Sequence, residues 1–128
     1  MAKKKNENHY DEKLIDALKK IPNPIWDKKH KIFIYLNNDQ ARSNESRFEH
    51  IAKKNHELKV RDIEAIVDGI NGYVAFYKSH ELKDTYYYFI NRKGDSKGFV
   101  QVAIKLIEGE TNKYYVKTIF IAYRIKYL

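Results

Sequence analysis

Four runs rich in aromatic and β-branched residues follow one another after Gly72: "YVAFYK", "TYYYFINR", "GFVQVAIKLI" and "KYYVKTIFIAYRI". Only "SHELKD", "KGDSKG" and "EGETN" separate them. Parallel strands need a crossover of a dozen residues or more, so links this short predict antiparallel neighbours and a β-meander. In the third run Val100, Val102, Ile104 and Leu106 alternate with other residues and mark one apolar face, which requires a cover.

The preceding residues supply candidates for that cover. Tyr10, Leu14, Leu18 and Ile21 recur at helical spacing until "PNP", where proline lacks an amide donor and constrains the residue before it. "KIFIYL" (31–36) reads as a strand and "NNDQARSNES" as a polar loop in which Asn44 or Ser46 caps the next helix. Residues 45–70 read as a helical pair, with Phe48, Ile51 and Ala52 inward in one member, Ile63, Ile66, Val67 and Ile70 inward in the other, and "NG" as the stop. The expected fold is α+β: an N-terminal helix and strand, then a helical pair packed on a four-stranded antiparallel β-meander. Residues 1–9 are expected to be a flexible basic tail, 10–43 the N-terminal helix, strand and loop, and 44–128 an α+β core, in one domain overall.

Charge narrows the functional classes. The 128 residues carry a formal net charge of +8, and residues 71–128 hold ten Lys/Arg against five Asp/Glu. Such a balance favours a polyanionic partner, because lysine and arginine release condensed counterions when they meet phosphates. The absence of cysteine removes disulfides, thiolate metal sites and a cysteine nucleophile. No run of eighteen apolar residues occurs, so a soluble cytoplasmic protein without a membrane partner is expected.

Five histidines invite a search for metal. "HELKV" opens like the helical zinc motif but has Val60 where the second histidine belongs. His50 and His56 would sit about 120° apart on a helix. Neither a metal site nor a nucleotide-cofactor loop is expected. A metal-free acid/base arrangement is what remains. On the helical wheel His50 lies beside Arg47 and Lys54, cations that lower an imidazole's pKa and hold phosphate. RNA strand cleavage without metal needs such parts: a base for the 2'-hydroxyl, an acid for the 5'-oxygen and cations around phosphorus.

The run "EHIAKKNHELKVRDIEAIVDGI", followed by a meander ending "VKTIF", resembles the phage-associated branch of the barnase, EndoU, colicin and RelE-like nuclease superfamily. The resemblance covers about residues 44–125. It implies a metal-independent, toxin-like endoribonuclease that leaves a 2',3'-cyclic phosphate, acts in a bacterial host and has a cognate inhibitor protein. It also implies that His50 has the acid/base role, His56 a second acid/base or phosphate role, and Thr118 a hydrogen bond to phosphate. Asn55 stands where relatives more often carry Lys or Arg before the second histidine.

Strand parity adds Arg92 as a catalytic candidate and Lys105 as a substrate-binding residue, with Gln101 and Lys105 turned away from the apolar row. The last strand is apolar on both sides. Pairing Leu106 with Tyr115 puts Thr118 on the open face, and a slip of one residue sends it into the core. Nine of eleven tyrosines follow residue 72. Of these, Tyr88, near Arg92 on one face, is the candidate for stacking on a base. The competing expectation is a catalytically inactive phage or mobile-element protein that binds nucleic acid or another protein.

Overall fold

The structure, a computed structural model, describes residues 12–36, 51, 57–94 and 96–125. Two helices, α1 (Glu12–Lys19) and α2 (Val60–Gly69), accompany strands β1 (Ile25–Asp27), β2 (Ile32–Tyr35), β3 (Ala75–Lys78), β4 (Thr85–Asn91), β5 (Phe99–Leu106) and β6 (Lys113–Ala122). The α+β class is as expected. The four-stranded antiparallel sheet is not: all six strands form one mixed sheet in the order β1-β2-β6-β5-β4-β3. β3 to β6 pair in sequence as antiparallel neighbours, while β2 lies parallel to β6 and β1 antiparallel to β2. The parallel pair is possible because the long chain between β2 and β6, with α2 in it, serves as the crossover.

One face of the sheet points inward. Ile34, Val100, Val102, Ile104, Val116 and Ile119 are almost fully buried there against Leu14 and Leu18 of α1 and Ile63 and Ile66 of α2. Each such side chain contributes about 1.5–3 kcal/mol by leaving water. Ile51, the described residue of the expected first member of the helical pair, is also fully buried; the rest of that helix lies outside the described residues. Asp62 caps α2 by accepting the Lys59 amide at 2.9 Å. At the other end Gly69 meets β4: a Cβ there would lie 2.3 Å from Ile90 Cγ2, so only glycine allows this approach.

The sheet curls until its two edges approach one another across the inward face. His30, just after β1, stacks on Phe76 of β3 with centroids 4.0 Å apart. Asn71, just after α2, accepts the Lys28 amide at 2.9 Å and donates to the Trp26 carbonyl at 3.0 Å. Its side-chain amide thus presents to β1 the donor and acceptor that a neighbouring strand would offer.

Register in the last strand uses both of the pairings that the sequence left open. Leu106, Lys105 and Ile104 face Tyr114, Tyr115 and Val116, whereas Ala103 to Phe99 face Thr118 to Ala122. The bulge between them leaves Lys117 as the extra residue. Consequently Val116, Ile119 and Ile121 all bury, although no single alternation connects them.

Candidate nucleic-acid interface

The outward face of the sheet is assembled from side chains that inward packing rejects. Trp26 on β1, Phe33 and Tyr35 on β2, Tyr115 and Phe120 on β6, and Tyr87 on β4 all fall on it by register. Trp26 is 41% exposed, and its ring lies 4.7 Å from that of Phe33. Lys113 and Lys105 share this face, directly beside the aromatic positions. No described helix packs on it. Rings beside cations on an open sheet offer single-stranded nucleic acid both base stacking and phosphate neutralisation.

The same face holds a hollow of about 520 Å³, lined among others by Phe89, Gln101, Phe120, Lys117, Thr118 and Arg124. The β-bulge builds it, since inserting Lys117 returns Thr118 to the outward side opposite Ala103. Glu81 also lines it, so the hollow carries mixed charge. Tyr123 also lines it and donates to Glu57 at 2.8 Å. That bond, chiefly, holds the phenol above its ordinary pKa.

The site residues expected from sequence fall into three groups. Thr118 and Lys105 stand on the outward face. Arg92 and Tyr88 belong to the inner side of the molecule. Arg92 binds Asp62 through Nε at 2.9 Å and Nη2 at 2.8 Å, and donates Nη1 to the Lys97 carbonyl at 2.8 Å. With its side chain 8% exposed and Asp62 fully buried, this bidentate pair ties the β4–β5 loop to the start of α2. The bond to Asp62 also raises the guanidinium pKa further.

Tyr88 has no exposed surface, so its ring is not open to stack on a base. Its hydroxyl donates instead to Asp27. Burial first, and then the Asp27 carboxylate, push the Tyr88 pKa far upward. The third group, His50, His56, Arg47 and Lys54, lies outside the described residues.

A feature that sequence reading missed sits at the end of β1. Asp27, fully buried, accepts the amides of Lys29 at 3.0 Å and His30 at 3.1 Å through Oδ1. Its Oδ2 meets the Tyr88 hydroxyl and, at 2.8 Å, the Nδ1 of His30. Burial pushes this carboxyl upward, but the bonds from Tyr88 and from the backbone and ring of His30 outweigh it and hold its pKa below the ordinary value. "DKKHK" carried a weak signal, an aspartate three residues before a histidine in a turn, but the decisive partner, Tyr88, is 61 residues away.

Among the described residues no cluster of three metal-ligating side chains occurs, and no helix is long and apolar enough to cross a membrane. Comparison with known proteins finds no matching family model, no similar curated protein and no similar solved structure.

Proposed function

We propose that the protein binds single-stranded RNA across the outward face of its sheet and cleaves it as a metal-independent endoribonuclease. The supporting observation is the open face on which Trp26, Phe33, Tyr35, Tyr115 and Phe120 stand among Lys105, Lys113 and Lys117, bordered by the Thr118 hollow. Rings stack bases at about 1–3 kcal/mol each, and the lysines neutralise the phosphates between them. The cleavage half of the proposal rests on the motif resemblance. It assigns His50 and His56 to acid/base and phosphate roles, leaves a 2',3'-cyclic phosphate, and makes a cognate inhibitor protein and a phage or mobile-element setting part of the same reading.

A second reading, an RNA binder that does not cleave, draws on Arg92: its guanidinium is committed to Asp62 and Lys97 rather than presented to a phosphate. One experiment separates the two. Purified protein is incubated with a labelled RNA oligonucleotide in EDTA, and retention and product are followed together. The enzyme reading expects cleavage that His50→Ala abolishes without unfolding the protein. Binding with an intact strand leaves the binder, and absence of binding at low salt removes both. Replacing Lys117 and Arg124 by alanine should weaken binding and reduce the salt slope by about 0.7 for each phosphate that is no longer neutralised.

A further inference from the structure

The hollow on the outward face holds one amide set among apolar side chains. Gln101 of β5 lies between Phe89 of β4 and Phe120 of β6, and its neighbours along the strand on the same side are Phe99 and Ala103. All four are apolar. Gln101 is half-buried, and its side-chain amide has no hydrogen-bond partner among the described residues. A primary amide carries two donors and an acceptor, and setting it in apolar surroundings without partners costs stability, so the position suits a ligand with matching groups.

The surroundings are firm. Phe89 and Ala103 are only 1% and 4% exposed, although they stand on the outward side and outside the main core. Tyr77 of β3 meets the Phe89 ring edge-on, with centroids 6.0 Å apart. The hollow thus has a floor before any ligand arrives, which spares binding the cost of ordering it. Tyr87 and Thr118 flank Ala103 on the two neighbouring strands, about 10 Å apart at two strand spacings. A planar ring has room above the small alanine, with half-buried Tyr87 and Phe120 as stacking surfaces.

Charge gives the hollow a direction. Glu81 precedes the start of β4, Arg124 follows the end of β6, and both line it. Because β4 and β6 each run antiparallel to β5, these two residues come from opposite ends of the sheet. A phosphate is drawn towards Arg124 and away from Glu81, and the base attached to it then falls over Gln101. The volume of about 520 Å³ is that of a small-ligand cleft, suited to a nucleotide of a single strand rather than to a duplex.

We infer that Gln101 reads one base of the bound strand, and that this base is adenine. The glutamine oxygen accepts from the exocyclic amine while its nitrogen donates to the ring nitrogen beside that amine, the pairing glutamine makes with adenine at DNA edges. Cytosine offers the same two groups on a smaller ring and ranks second. This deepens the RNA-binding reading, on which it rests, and holds whether or not the strand is cut. It gives a role to a residue that strand parity turned outward and no motif singled out.

The test measures binding of the full chain to oligouridine in which one central position is varied among the four bases. The strands carry 2'-fluoro sugars, which lack the attacking hydroxyl, so affinity is read without cleavage. The wild type should favour adenine over uracil by about 5- to 150-fold, the span of one bidentate base contact. Gln101→Leu, which suits the apolar neighbours, should bring adenine down to the level of uracil and leave the salt slope unchanged. Gln101→Glu offers acceptors and no donor, so its preference should move to guanine, which carries hydrogens on both N1 and N2. That variant also serves where the leucine protein does not fold. Equal wild-type affinity for all four bases would overturn the proposal and leave the binding surface standing. So would an adenine preference that survives in a folded Gln101→Leu or Gln101→Glu protein. A wild-type preference for another base would overturn the adenine assignment. A wild type that binds no strand at low salt overturns the RNA-binding reading itself, and this proposal with it.

Discussion

Tyr87 and Tyr88 are adjacent in the chain and opposite in circumstance. Tyr87 faces outward and lines the hollow with Thr118, while Tyr88 is sealed inside with its hydroxyl on Asp27. The same contrast separates Lys105 and Arg124, outward and accessible, from Arg92, locked onto Asp62. Residue type thus says little here about whether a side chain meets a ligand. The alternation of the strand decides it, and the two faces of one sheet divide the packed core from the side proposed for recognition.

The sharpest way to break that division is Asp62→Ala. It strands a largely buried guanidinium and removes the cap of α2, so chemical denaturation should show a loss of about 3–5 kcal/mol. At temperatures where the variant remains folded, RNA affinity should be unchanged; a specific loss of binding would show that the inner side also recognises ligand.

Trp26→Ala is the outward counterpart. Affinity for a single-stranded RNA oligonucleotide should fall by about 1–3 kcal/mol, roughly five- to 150-fold, with a smaller effect on the unfolding midpoint. Unchanged affinity in a binding titration would remove β1 from the interface.

The smallest effect concerns acid. The folded Asp27 carboxyl titrates below its ordinary value of 3.8, so its stabilising contribution is complete above that value and is lost as pH falls through the lower, folded one. Denaturation curves of wild type and Asp27→Asn, measured from pH 5 downward, should therefore converge at the acid end. Parallel curves would mean that the buried carboxylate does not carry this linkage.

The legible parts of the fold were those written in local pattern. The meander strands, the α1 stripe through Leu14 and Leu18, the "KIFIYL" strand and the stop after Ile70 each follow from spacing and turn residues. β1 was not legible, because "IWD" is only three residues long and its pairing depends on β2. The parallel β2–β6 pair joins segments some eighty residues apart, and no short motif records such a pairing. In "TYYYFINR" both faces carry large side chains, so parity could group Tyr88 with Arg92 but not say that their shared side was the inner one. The bulge at Lys117 reconciles a last strand that is apolar on both sides, and its position depends on the partner strand. Of the candidate site, the outward side of Lys105 was readable from alternation, whereas Thr118 was left open between two registers and is placed by the bulge. The Asp27–His30 pair was not readable, since its carboxylate is braced by Tyr88 of β4.

The Asn71 bridge has a consequence for how this protein behaves in company. A strand at the rim of a sheet exposes unpaired amides and carbonyls that invite a second molecule to extend the ladder, the first step toward aggregation. At β1 the Lys28 amide and the Trp26 carbonyl are already taken by one asparagine side chain. A single residue thus protects a rim that also carries an exposed tryptophan, and Asn71→Ala should show it as concentration-dependent association in light scattering before any change in fold.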